Sequence, residues 1–220
     1  YLNSKYDKPL NLAIDKFKEK IYRGTKLNIT TDNLKKSIPD ITRDNVLDSY
    51  ERVFDTRNML ISVVGNLEDK KVLEKFSSLK LTSPKFSQIK DEDIKISVPK
   101  LTQNECTLSP KDIQAAWILQ GYLTSGLKDE KEYVTLNVIN NILGSGFTSR
   151  LFENMREKKG LAYEVGSSSS ASYKNGIFLM YIGTNPNNIS TVKKDFACEI
   201  VDLMTNKISE KELEEAIGKN

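Results

Sequence analysis

No histidine occurs anywhere in this chain. Histidine is the side chain that titrates unaided near neutrality, and it is the commonest metal ligand. Its absence excludes Ser-His-Asp and Cys-His nucleophilic schemes and every histidine-bearing zinc site, and it removes the usual general base. Cysteine is nearly as scarce. Cys106 and Cys198 lie far apart, a spacing that fits no metal-ligand pattern and reads as two buried free thiols. Cysteine usage therefore leaves the compartment open. No apolar run approaches the ~18 residues that a membrane helix needs. Neither sign of charge dominates: 33 basic and 30 acidic residues, interspersed along the chain, leave a net charge of +3. Lysine pairs such as Lys158-Lys159 and Lys193-Lys194 lack interleaved aromatics, so neither nucleic acid nor a membrane is expected as a partner. The carboxylates fall mostly on the solvated faces of amphipathic helices, which argues against a catalytic acid pair.

What is present reads as globular, with 38% hydrophobic and 29% charged residues over 220 positions, enough for one or two cores. The chain opens without a methionine and stops inside a helical pattern at Ala216–Asn220. It is read as a piece of a longer polypeptide, with any targeting segment outside it and localisation left open.

Apolar residues Leu10, Ala13, Ile14, Phe17 and Ile21 recur at helical spacing. Thr42 caps a second helix with Val46, Leu47, Tyr50, Val53 and Phe54 on one face. Met59–Val64 reads as a buried strand closed by Gly65, and Leu67–Phe76 as a helix. Residues 81–100, rich in Lys, Ser, Asp and Pro, read as a linker between a first domain (1–80) and a second (101–220). In the second, Ile113–Tyr122 alternates like a strand and Tyr133–Leu143 is a helix. Tyr163–Tyr173 and Ile177–Ile182 are expected to form a hairpin across Asn175-Gly176, since both residues tolerate positive φ. Ile189, Val192, Phe196, Ile200 and Leu203 mark another helix. Ser209 and Glu212 form a capping box at the start of the last. The runs ending at Gly65 and Gly183 share one plan: an apolar strand, a glycine, a polar turn and an amphipathic helix. That pattern points to a duplicated α+β unit whose first copy is incomplete.

The densest stretch is Leu143–Tyr163. Gly144 and Gly146 break a helix, Thr148 or Ser149 can cap a new one, and Leu151, Phe152 and Met155 give it an apolar face. Gly160 ends it, because only glycine enters the left-handed region without steric cost. This sets Arg156 near a helix end and Tyr163 at a strand start. The pair can present two donors at one surface; equally, Arg156 can make a helix-end ion pair while Tyr163 packs in the sheet. The Gly144-Ser145-Gly146 loop is too short for a phosphate-binding loop and reads as a connector or a substrate-touching loop.

Together, Gly144-Ser145-Gly146, the run Ser149–Tyr163 and Gly176–Thr184 resemble the C-terminal domain of the pitrilysin/insulinase family, the inverzincin metallopeptidases. Ile41–Asn45 and Arg57–Gly65 extend the resemblance over roughly Leu10 to Ile217. It implies paired α+β units, each an antiparallel sheet with helices packed on one side, closing as a two-part assembly around a peptide chamber. It implies zinc in the family, held by H-x-x-E-H and a downstream Glu. None of that motif occurs here, so no catalytic or metal-binding residue is expected in this chain. A zinc-bearing domain or subunit and a peptide substrate are the implied partners. The resemblance assigns Arg156 and Tyr163 to substrate binding. A non-catalytic structural subunit of the same fold is the alternative.

Overall fold

The computed structural model describes residues 2, 4–55, 60–77 and 115–218. The chain divides into two compact units, one formed by Tyr1–Thr31 with Ile96–Asn220 and the other by Asp32–Lys95. Residues 81–100, read above as a linker, lie outside the described residues, as do Cys106, Ile113 and Gln114.

The larger unit is built on one three-stranded sheet. Its strands are β1 (Ala116–Ser125), β2 (Glu164–Ala171) and β3 (Asn175–Thr184), in the order β1-β3-β2, with both pairings antiparallel. β1 and β2 therefore run parallel to each other with β3 inserted between them, a split βαβ arrangement. The crossover between them carries α5 (Glu130–Leu143), started by Asp129, whose carboxylate accepts from the Glu132 N–H at 3.1 Å. After β3 come α6 (Ile189–Thr205) and α7 (Glu210–Ile217), the latter opened by the expected Ser209–Glu212 capping box. The architecture is thus α+β with an antiparallel sheet and a helical layer.

β3 is buried on both faces because its side chains alternate between two cores. Phe178, Met180 and Ile182 face the helical layer, where Leu143, Leu151, Met155, Val192 and Phe196 close over them. Ile177 and Leu179 point the other way and meet Ile21, with Phe17 and Tyr22 beside it. Phe17 and Ile21 belong to α1 (Pro9–Ile21), which Tyr22 follows and which lies on the face opposite the main helical layer. Its approach depends on Gly121. A Cβ there would stand 2.3 Å from Phe17 Cζ, so the ring occupies the space a side chain would take. Lys5 and Thr31 flank α1 and converge on its buried Asp15: Lys5 Nζ pairs at 3.0 Å and the Thr31 N–H donates at 2.9 Å.

Two local expectations are corrected. Asn175 and Gly176 do not form the hairpin turn; they are the first residues of β3, paired with Ser125 and Thr124. The connection is Ser172–Lys174, where the Ser172 N–H donates to Asn175 O at 2.7 Å. Gly176 serves close approach instead: a Cβ there would meet Thr124 Oγ1 at 2.3 Å. Cys198 is exposed on α6 rather than buried, since the inward positions of that helix are taken by Val192 and Phe196.

The smaller unit contains α2 (Thr31–Ser37, begun at the last residue of the larger unit), α3 (Arg43–Val53) and α4 (Asp69–Ser77). Thr42 caps α3 as expected, in a reciprocal box with Asn45. The expected buried strand is not seen in its described part. Residues 60–64 are exposed and carry no regular secondary structure, with no strand beside them among the described residues. A strand needs a ladder partner for its backbone groups, and composition alone does not supply one.

Replacing Gly121 with Val should force Phe17 from its seat and cost about 1–3 kcal/mol in chemical denaturation, the usual range for overpacking. Unchanged stability would mean that α1 does not rest on this contact.

Candidate functional site

The segment between α5 and β2 places the residues singled out by the sequence. α5 ends at Gly144, whose carbonyl accepts from the Ser167 N–H of β2 at 3.2 Å, tying the glycine loop to the sheet. Gly146 has φ 94° and Gly160 φ 61°, so both occupy conformations that favour glycine. The chain re-enters helix at Arg150, and Phe152–Lys158 forms a π-helical segment rather than the regular α-helix expected. Such wide turns are rare and occur often at functional positions. Leu151 and Met155 anchor it in the core. Ser149 does not cap it; its hydroxyl donates back to Gly146 O at 2.7 Å.

The structure brings Arg156 and Tyr163 together. An Arg156 Nη1–H donates to the Tyr163 carbonyl at 3.3 Å, and the guanidinium carbon lies 5.1 Å from the centre of the Phe152 ring. Phe152 in turn meets the exposed Phe147 ring edge-to-face at 5.2 Å. Arg156 is exposed and Tyr163 is 63% exposed. The Tyr163 backbone is fixed, because its N–H donates to Gly183 O at 2.8 Å. Its phenol does not pack in the sheet. No carboxylate pairs with Arg156 among the described residues, so its remaining donors face outward.

Arg150 behaves differently, and no sequence signal pointed to it. Its Nε donates to Glu212 Oε1 at 2.8 Å and Nη2 to Glu212 Oε2 at 3.2 Å, a two-pronged clamp. Nη1 donates to Asp202 Oδ2 at 2.6 Å. The Arg150 side chain is only 16% exposed. These partners come from α6 and α7, too distant in sequence for any motif to link them. The clamp holds the start of the Arg156-bearing segment against the outer helices. The Arg150 bonds lower the Glu212 carboxyl from 4.5 to about 2, with the Ser209 N–H and hydroxyl adding to the effect against partial burial.

No group of three or more His, Cys, Asp or Glu side chains able to hold a metal ion occurs among the described residues. With no histidine in the chain, the donors among the described residues do not fit a zinc ion. No described helix is long and apolar enough to cross a membrane.

A family model described as the peptidase M16 inactive domain matches residues 40–220. A protein of Rickettsia felis called an uncharacterized zinc protease is 28% identical over 208 residues, covering 94% of this chain and 48% of its own length. A protease from Helicobacter pylori shares the fold with a TM-score of 0.78 at 19% identity, over 98% of this chain and 52% of that one. A peptidase M16 inactive domain from Pseudomonas fluorescens does so with a TM-score of 0.76 at 22% identity, over 99% and 52%. The chain thus spans about half the length of the curated relatives it matches.

Because the folded Glu212 carboxyl titrates below its unfolded value, the clamp should contribute its full stability above the ordinary carboxyl range. That contribution should be lost as pH falls toward about 2. The Tm difference between the wild type and Glu212→Gln is therefore expected to be largest above about pH 5 and to vanish near pH 2. A difference that stays constant over that range would show that ionised Glu212 is not what holds Arg150.

Proposed function

Since the chain belongs to the peptidase M16 inactive-domain family, we propose that it is the substrate-facing, catalytically incomplete part of a pitrilysin-type zinc metallopeptidase. It closes a peptide-processing chamber with a zinc-bearing half, supplied as a domain or as a subunit. The activating metal and its water belong to that half, and this chain supplies recognition and polarisation.

One contrast carries the reading. Two arginines flank the same short segment. Arg150 is locked onto two carboxylates, whereas Arg156 keeps an exposed guanidinium against the Tyr163 carbonyl, and the Tyr163 side chain is exposed as well. A structural arginine is expected to look like the first, because taking a guanidinium out of water costs several kcal/mol unless it is paired. The second retains N–H donors and a phenolic O–H that can meet peptide carbonyls. Directed at a scissile carbonyl, they would hold it in register and stabilise negative charge as it develops on oxygen. The Phe152 ring supports the guanidinium from one side, which limits its freedom without neutralising it. The substrate class that suits such donors is an extended polypeptide backbone, and no side-chain preference is assigned.

Purified alone, the chain is expected to show no chelator-sensitive cleavage of an unstructured fluorogenic peptide; reproducible turnover would contradict the assignment. Once the zinc-bearing half is supplied, Arg156→Ala and Tyr163→Phe should each lower kcat/KM by about 100-fold, the usual cost of one oxyanion donor, with thermal stability nearly unchanged. Full activity in both variants would remove the pair from the site.

A further inference from the structure

Among the described residues, α1 covers only part of the sheet face on which it packs. Residues paired across the three strands share a face, so this face is a series of rows. Phe17, Ile21 and Tyr22 close over the rows that hold Gly121 with Leu179 and Leu123 with Ile177. The two rows nearer the start of β1 run Trp117, Gly183, Glu164 and Leu119, Tyr181, Gly166.

In these rows two rings lean over glycines. A Cβ on Gly183 would meet Trp117 Cη2 and Cζ2 at 3.0 Å, and one on Gly166 would meet the Tyr181 phenol oxygen at 2.7 Å. The indole therefore crosses from β1 over β3, and the phenol from β3 over β2. Both reach toward the strand that carries Glu164, which is exposed while the two rings are half-buried. Among the described residues Glu164 forms no ion pair, and the Tyr181 O–H has no hydrogen-bond partner. Arg156, which reaches the preceding residue, is committed to the Tyr163 carbonyl and the Phe152 ring. Burial first, and the Glu164 charge second, push the Tyr181 phenol upward, so it stays neutral near the carboxylate.

Covering a glycine accounts for each ring alone. It does not account for the unpaired carboxylate toward which both reach. We infer that Trp117, Tyr181 and Glu164 form a subsite for a cationic side chain, lysine or arginine, of a bound polypeptide. Aromatic faces attract cations, and tryptophan does so best. Glu164 supplies the opposite charge and repels an acidic side chain. The phenol oxygen can accept from an ammonium or guanidinium N–H. The apolar stem of lysine or arginine suits the ring surfaces beneath its charged head. An uncharged apolar side chain would meet the rings and leave the carboxylate without a partner. Glu164 directly follows Tyr163, so the subsite adjoins the donors assigned above to the peptide backbone. That the polypeptide is the substrate rests on the function proposed above; the subsite itself does not.

Trp117 is the only tryptophan in the chain, so its emission reports on this site directly. The full chain is titrated with an unstructured Gly-Ser peptide carrying one arginine, and with the same peptide carrying citrulline, which keeps the shape and loses the charge. The arginine peptide should change the emission saturably, and the citrulline peptide should bind at least ~10-fold more weakly. Glu164→Gln should weaken binding of the arginine peptide about fivefold, and Glu164→Lys should remove the preference for it. Both variants should unfold at the wild-type temperature, because Glu164 is exposed. Equal affinity for the two peptides, no change in emission with either, or an arginine preference that survives Glu164→Lys would overturn the inference. With the zinc-bearing half supplied, exchanging arginine for citrulline in a cleavable peptide should raise KM about 10-fold and leave kcat near its value. An unchanged KM beside a discriminating titration would overturn the substrate as occupant and leave the proposed function standing. A charge-sensitive KM with full activity in Arg156→Ala and Tyr163→Phe would keep the subsite and remove the proposed function.

Discussion

β3 is held by hydrogen bonds along both edges and by side chains on both faces, and the arrangement of the larger unit follows from that confinement. A strand so placed has no freedom of register, because a one-residue slip would exchange Phe178, Met180 and Ile182 for Ile177, Leu179 and Tyr181. Its helical face is completed by Leu151 and Met155, which come from the segment that carries Arg156. That segment is therefore fixed to the least movable part of the sheet, and Arg150 ties its start to α6 and α7. A binding group mounted on such a base keeps its geometry without burying its own charge. The base is packed into the core and the tip is exposed.

The two units solve their burial problem differently. The larger one closes both sides of its sheet, using α1 where Gly121 leaves room for Phe17. The smaller one has the sequence pattern of a comparable layer, but its described apolar side chains remain in contact with solvent. Hydrophobic burial is the main favourable term in folding, and each large apolar side chain contributes about 1.5–3 kcal/mol when covered. Val53, Leu60, Val64 and Leu73 are exposed and do not contribute such a term among the described residues.

Much of this was legible in the residues. Helices were readable where apolar spacing and a cap agreed, as at Thr42 and Ser209, because both signals are local. The absence of histidine was legible outright, and it excludes every histidine-bearing zinc site from this chain. The juxtaposition of Arg156 and Tyr163 could be expected from Gly160, which ends one element and lets the next begin beside it. Four features were not legible. The turn at Asn175-Gly176 was misplaced because glycine there answers to the backbone of β1, a tertiary neighbour, and not to a need for positive φ. The π-helical widening at Phe152–Lys158 has the same periodic residues as an α-helix and differs only in how they close. The Arg150 clamp joins residues of separate helices, and no spacing rule reaches across such a separation. Exposure of 60–64 was missed for a related reason: strand composition reports what a segment prefers, while a ladder also requires a neighbour.

The central claim is that a substrate peptide lies against Arg156 and Tyr163 when the chamber is complete. The most direct test is photo-crosslinking. An unstructured peptide bearing a photoreactive group is bound to the assembled protein after chelation has stopped turnover, irradiated, and the label mapped by mass spectrometry. The account predicts that label in this chain concentrates between Phe147 and Tyr163 and is competed away by unlabelled peptide. Label confined to the outer surface of α6 and α7, or absent from this chain while the zinc-bearing half is labelled, would contradict it.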